Sequence, residues 1–398
     1  MKTILVIAPQ SFPVTGTEAI VNIKLLRALS ASGEFSIDLV SKKNKWSDYP
    51  SGSIETYGVK LNSIKIIEVD NKVNIKTIWQ CLLSLLFFGI AFKGCHWAVA
   101  AKKYVSALYK SKKYDYVLTK DSPSYLLGYY LKKKYGAKWV ATWNDPAPMV
   151  KYPFPYGKGL QHKDSLATKR NINIMRLADV HVTPSERLKK YLDTYMKVGD
   201  KLVVAPHMVA YVKQRNHKNS DCLKIIHSGH LGNPRNPRTF LEGLALFKQK
   251  RPSAKIQFDV LGKSSGNLKS LIEQNGLQDC VHAIPSMEYE QSLSFVSQYD
   301  VTVIIEADQL EEGIFMPTKV SDFMQCDVPI FAISPQHGTL NDLYKNNQIP
   351  YFADVTSSQN IADEIGRIYE DFSANSLKSN IIPDSFKEQS IVKQYMSF

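Results

Sequence analysis

Cysteine is scarce and unpatterned in this chain. The five residues (Cys81, Cys95, Cys222, Cys280, Cys326) are odd in number, scattered, and contain no Cys-x-x-Cys pair. That argues against a disulfide framework and a structural zinc site, and fits a reducing compartment. No Asp-x-Asp occurs anywhere, so the carboxylate pair that often holds a divalent cation on a diphosphate is missing. Neither half opens on Gly-x-Gly-x-x-Gly, which disfavours a dinucleotide-dependent dehydrogenase. Low-complexity tracts and internal repeats are absent, so neither disorder nor a solenoid is indicated. No apolar run reaches the roughly twenty residues needed to span a bilayer. The N-terminal run is ended by Pro9 before any small-residue cleavage site, and reads as a buried strand rather than a secretion signal.

Acidic charge is also scarce, but only in one half. Residues 1–210 hold 32 Lys/Arg against 15 Asp/Glu, while residues 211–398 hold 18 against 22. A basic half beside a mildly acidic one points to something anionic facing the first half. No nucleic-acid-binding motif accompanies the charge. An anionic membrane surface or a phosphorylated lipid fits better.

What is present is an alternation of short apolar runs with helical periodicity, the pattern of parallel α/β architecture. In the first half, strands are expected at 3–8, 36–40, 114–119, 139–142 and 179–183, with helices at 17–31, 126–135, 163–177 and from Ser185. A second series gives strands at 223–227, 256–261, 281–284, 301–305, 328–333 and 350–352, with helices between them. Two Rossmann-like domains are expected, 1–210 and 211–385, joined by the polar stretch Lys213–Asp221. The tail 386–398 is expected to pack back on the first. Ligands of such sheets bind at the carboxyl ends of the strands, so facing domains would share an interdomain cleft. The uncharged segment Thr77–Phe92, flanked by Lys76 and Lys93, admits two readings. It is either a buried helix of the first domain or a helix lying on a membrane surface, with Trp79 and Trp97 at the interface.

Three stretches carry chemistry. His227-Ser-Gly-His-Leu-Gly-Asn leaves a strand and precedes a helix. The turn at Gly229, Leu231 and Gly232 would let backbone approach a phosphate. Arg235 and Arg238 follow, either neutralising a diphosphate or simply solvated. Val260-Leu-Gly-Lys puts Lys263 at a strand end, where it meets a leaving phosphate or is an ordinary exposed lysine. Phe315-Met-Pro-Thr-Lys-Val-Ser-Asp places Pro317 at a helix start, with Thr318 and Lys319 at its positive end. Asp322 lies three residues on, on the same face. One turn thus offers a cation and a hydrogen-bond acceptor together, which a diphosphate attached to a ribose requires.

Residues 223–372 resemble the donor-binding domain of retaining GT-B glycosyltransferases of the GT4 family, also called glycosyltransferase group 1. The matching stretches are Leu223-Lys-Ile-Ile-His-Ser-Gly-His-Leu-Gly, Phe258-Asp-Val-Leu-Gly, Asn275-Gly-Leu-Gln-Asp-Cys-Val-His, Tyr299-Asp-Val-Thr-Val-Ile and Met316-Pro-Thr-Lys-Val-Ser-Asp-Phe-Met-Gln-Cys-Asp-Val-Pro-Ile-Phe-Ala. The first half matches more loosely, at Pro13-Val-Thr-Gly-Thr-Glu and Ala178-Asp-Val-His-Val-Thr-Pro-Ser-Glu. The resemblance implies a GT-B fold and transfer of a hexose-type sugar from a UDP- or GDP-sugar, with retention and without cofactor or metal. It implies Asp322 on the ribose, Thr318 and Lys319 on phosphate, and Arg235 and Lys263 on the leaving group. Gly16 and Thr17 would face the donor; Asp145 would lie near the acceptor hydroxyl, and Asp121 at another strand end, although both aspartates read equally well as helix or turn caps. The family's first sugar-contacting glutamate has no clear counterpart: its place falls near Ile314, with Glu311 and Glu312 just upstream. The acceptor would be a glycan or a lipid-diphosphate-linked saccharide, in surface polysaccharide synthesis at the inner face of the membrane. A GT-B-fold nucleotide-sugar 2-epimerase, which needs no acceptor, and an inactive nucleotide-binding member remain open alternatives.

Overall fold

A computed structural model describes residues 1–45, 52–70, 72–210, 212, 220–263 and 267–398. Residues 213–219 of the expected linker lie outside them. The chain divides into two units. One comprises Met1–Tyr152, Gly157–Met208 and Ser385–Phe398; the other comprises Pro153–Tyr156 and Val209–Asp384.

The first unit starts with β1 (Lys2–Ile7), whose Ile4, Leu5, Val6 and Ile7 are wholly buried. A strand covered on both faces needs such a run rather than alternation. There follow α1 (Thr17–Ala31), β2 (Phe35–Asn44), β3 (Ser63–Val69), α2 (Ile75–Phe88), α3 (Cys95–Ser111), β4 (Tyr116–Lys120), α4 (Tyr125–Tyr135), β5 (Trp139–Thr142), α5 (Leu166–Met175), β6 (Val180–Thr183), α6 (Glu186–Met196) and β7 (Leu202–Val204). Ser185 caps α6, its side chain accepting from the Leu188 amide, as its residue type predicts. All seven strands are parallel, in the order β3-β2-β1-β4-β5-β6-β7.

The second unit holds β8 (Leu223–Ser228), α7 (Arg238–Lys250), β9 (Ile256–Leu261), α8 (Leu268–Gln274), β10 (Val281–Ile284), α9 (Tyr289–Val296), β11 (Val301–Ile305), α10 (Thr318–Gln325), β12 (Ile330–Ser334), α11 (Thr339–Lys345), β13 (Tyr351–Asp354) and α12 (Ser358–Ser373). Its parallel sheet runs β10-β9-β8-β11-β12-β13. Phe240 of α7 packs against Phe258 of β9 with ring centroids 4.6 Å apart and planes inclined at 59°. Ile361, Ile365 and Ile368 of α12 are buried on the face the 3.6-residue period predicts. Gly243 lets α7 and α12 approach, since a Cβ there would lie 2.7 Å from the Ile361 Cγ2. The final α13 (Glu388–Ser397) belongs to the first unit. The Tyr116 hydroxyl donates to the Tyr395 carbonyl (3.0 Å), and Gln394 donates to the carbonyl of Val204 (2.8 Å).

Both sheets reverse strand order at their first strand, between β1 and β4 in one and between β8 and β11 in the other. The carboxyl ends flanking such reversals are where doubly wound sheets bind ligands.

The segment 77–92 corrects one of its two readings. It is largely α2, yet the helix is not buried: Trp79 is 61 % exposed and Leu86 76 %. Trp97, expected at an interface, is wholly buried in α3. Among the described residues no helix is long and apolar enough to cross a membrane.

Candidate functional site

In the second unit, three chain segments converge at the β8–β9 strand ends. The chain leaves β8 through Gly229 and β9 through Gly262, both at positive φ (128° and 124°). A Cβ on Gly262 would lie 2.8 Å from the Gly229 carbonyl oxygen, and one on Gly229 would lie 3.4 Å from Cε of Lys319. The two loops therefore touch backbone to backbone, and the Lys319 stem crosses over Gly229. Only glycine tolerates both the dihedral and the contact at Gly262.

Lys319 stands in the first turn of α10. Pro317 takes the N-cap position, one residue earlier than the expected first helical position, and no side chain caps the helix. This terminus keeps its positive pole open toward an anion. The Lys319 ammonium lies 3.7 Å from Asp322 Oδ2, and the Tyr289 hydroxyl donates to Asp322 Oδ1 (2.7 Å). Asp322 is 4 % exposed, so it orients Lys319 and Tyr289. Thr318 is half-buried beside them.

The remaining expected residues distribute unevenly. Leu231 belongs to the core, and its amide donates to the Lys263 carbonyl (3.0 Å). Gly232 and Arg235 close a tight turn through Gly232 N–H to Arg235 O (3.0 Å), which leaves the Arg235 side chain exposed. Lys263 is likewise exposed at the β9 end.

Two buried groups of this site were not anticipated. His227, at the β8 end, directs Nδ1 at the Val303 carbonyl (3.1 Å), while its buried Nε2 has no partner. Burial lowers its pKa to about 4, with the charges of Lys319 and Arg235 acting in the same direction, so the ring is neutral and Nε2 is an acceptor. Glu306 follows β11 directly and is 4 % exposed. Burial pushes its carboxyl up to about 7, against the hydrogen bond from Ser334 (2.6 Å) and the charge of Arg235. Gly313 makes room for it, since a Cβ there would lie 2.6 Å from Glu306 Oε2. Ile314 is buried, and Glu311 and Glu312 are exposed.

In the first unit, Gly16 is the N-cap of α1 at φ 132°, with open space where a Cβ would stand, and Thr17 is exposed beside it. Asp145 is exposed and lies beside Tyr152. Its neighbour Asn144 is the organising residue. The Asn144 side-chain amide donates to both Glu18 oxygens (2.8 and 2.9 Å) and to Asp121 Oδ2 (3.2 Å), and its backbone amide donates to Asp121 Oδ1 (3.0 Å). Burial, then the Glu18 charge, raises the Asp121 carboxyl well above the usual range. Burial would also raise Glu18, but the Asp121 hydrogen bond, Lys120, Asn144 and His207 together hold it low. Burial and the neighbouring charge thus favour the neutral form at Asp121 and the ionised form at Glu18. Lys120, Thr142, Asn144 and His207 line one small pocket at these strand ends.

Residues 211–382 match the family described as Glycosyl transferases group 1, and residues 84–210 match Glycosyltransferase Family 4. No curated protein matches the chain in sequence. Among solved structures, sucrose-phosphate synthase from Thermosynechococcus elongatus is 16 % identical with a TM-score of 0.66, covering 100 % of this chain and 98 % of that one. Anabaena Alr3699/HepE in complex with UDP is 14 % identical (TM-score 0.64; 100 % and 99 % covered). An E. coli trehalose-6-phosphate protein bound with UDP-2-fluoro glucose is 12 % identical (TM-score 0.64; 99 % and 98 % covered). These likenesses give the fold, and the two family matches run without a break from residue 84 to residue 382: the chain belongs to the group 1 glycosyltransferases and has their GT-B fold.

Proposed function

We propose that the chain moves a hexose-type sugar, with retention of configuration, from a UDP- or GDP-sugar to a glycan or lipid-diphosphate-linked saccharide. The product would be surface polysaccharide, built at the inner face of the cell membrane. The observation that carries the donor half of this reading is the Lys319 stem lying over Gly229 beside an uncapped helix start. Backbone without Cβ, a lysine and a helix N-terminus together make a diphosphate cradle. UDP in the Anabaena neighbour and UDP-2-fluoro glucose in the E. coli one support a uridine nucleotide.

In this reading Lys319, with Arg235 and Lys263, takes up the charge that develops on the departing diphosphate. These cations do the work a divalent metal would otherwise do, so no metal is invoked. A donor phosphate oxygen accepts the proton of the acceptor hydroxyl, and no separate base is needed. Asp322 holds Lys319 in place and is the expected acceptor for the ribose hydroxyls. A thermal-shift screen of UDP, GDP, ADP and their sugars tests the reading. One uridine or guanosine diphosphate is expected to raise the melting temperature, because it binds only the native state. Indifference to all of them would overturn the proposal.

A further inference from the structure

α2 is built inside out. Its inward positions are Thr77, Cys81, Ser84 and Phe88, of which Thr77 and Ser84 are buried hydroxyls; Ser84 donates to the Ile90 carbonyl (2.7 Å) and Cys81 Sγ lies 3.7 Å from that of Cys95 on α3. Its outward stripe is Ile75 (88 % exposed), Ile78, Trp79, Leu82, Leu85 and Leu86, none less than half exposed. A surface helix ordinarily turns such a stripe toward the core. A contiguous apolar face of this size on a folded unit marks a docking surface.

Its surroundings say what docks there. No aspartate or glutamate occurs between Asp70 and Asp115, while eight lysines do. Lys76 in the first turn of the helix and Lys93 beyond its end are exposed, Lys102 sits 3.8 Å from the Phe87 ring centroid, and Arg170 of α5 packs against Gly89 at the helix end. Leu166, 86 % exposed at the start of α5, adds another outward apolar side chain to the same unit. Asp70, bonded to the N-cap Asn74 (2.9 Å), is the one acid at the helix start, so two copies of such a face would set mainly lysine against lysine, which disfavours self-association. At 14 residues the helix is about 21 Å long, short of the ~30 Å needed to span.

We propose that α2 lies flat in the headgroup region of an anionic bilayer, with Trp79, Leu82 and Leu86 below the phosphates and Lys76, Lys93 and Arg170 among them. The inference rests on the proposed function in one respect, that the acceptor is carried on lipid.

The test is co-sedimentation of the full chain with vesicles of phosphatidylcholine alone and of phosphatidylcholine mixed with phosphatidylglycerol. Binding is expected only to the mixture, weakened by salt, and lost by at least about tenfold in the double substitution Trp79→Glu and Leu86→Glu. The variant should keep the parent's melting temperature and its nucleotide-induced thermal shift, the first of which shows that it folds. Vesicle binding without any nucleotide response would keep this inference and sink the donor reading. A parent that ignores anionic vesicles, a variant that still binds them, or a parent dimer that the substitutions dissociate would each overturn it.

Discussion

Replacing Glu306 by glutamine asks whether its carboxyl is held by burial or by Arg235. Glu306 titrates near 7 when folded, against an ordinary value of 4.5. For an acid whose folded pKa is raised, the native state binds the extra proton, so stability is full below pH ~4.5 and drains away as pH rises toward 7. The interval between those two values corresponds to roughly 3 kcal/mol. In the Glu306→Gln variant the amide oxygen still accepts from Ser334, and the side chain never ionises. At pH 5 the variant should melt with the parent. At pH 8 it should melt higher, by roughly 6–12 °C for a unit of this size. Scanning calorimetry at both pH values, following the transition of the second unit, reads this directly. A variant less stable than the parent at pH 8 would refute the reasoning, because it would mean that an ionised Glu306 is paired with Arg235 and stabilising.

Gly262→Ala should cost about 1–3 kcal/mol, because it adds strain at φ 124° and drives a Cβ into the Gly229 carbonyl; nucleotide binding should fall with it. Chemical denaturation and nucleotide titration of the variant measure both effects. In the first unit, Asp121→Asn keeps the shape of the side chain and removes the titrating carboxyl. Because the folded pKa of Asp121 is raised, the parent should lose stability as pH climbs above the ordinary carboxylate range, and the variant should show a flatter profile in a melting series across that range.

Much of the fold was legible because both sheets are parallel and buried. Continuous apolar runs such as Ile4–Ala8 and Ile330–Ile333 announce themselves and are bounded by turns. β3 was not legible: it lies at the sheet edge, carries Lys65 and Glu68, and has only Val69 buried. α3 was missed because its lysines interrupt the apolar period. The periodicity of α2 says that it is a helix but cannot say which face its neighbours cover, so the outward stripe needed coordinates. At the proposed donor site, a glycine turn and a proline-started helix are local signals, and the turn at Gly229 and the helix start at Thr318 and Lys319 were readable from them. Glu306 was not, because one carboxylate after an apolar strand reads as a solvated strand end. Its burial depends on Ser334, 28 residues further along, and on Gly313 in the loop that follows the strand. The Glu18–Asp121–Asn144 contact joins three separate segments, so the sequence offered Asp145 and left its neighbour unnoticed.

Isothermal titration of the nucleotide identified by the screen into the parent and into Lys319→Ala tests the donor site most directly. Losing a charge-assisted contact to phosphate is worth about 1.5–3 kcal/mol, so the variant should bind roughly ten- to a hundredfold more weakly while keeping its fold. Equal affinity in the two proteins would mean that the diphosphate does not sit over Gly229 and beside α10, and the proposed donor site would be wrong.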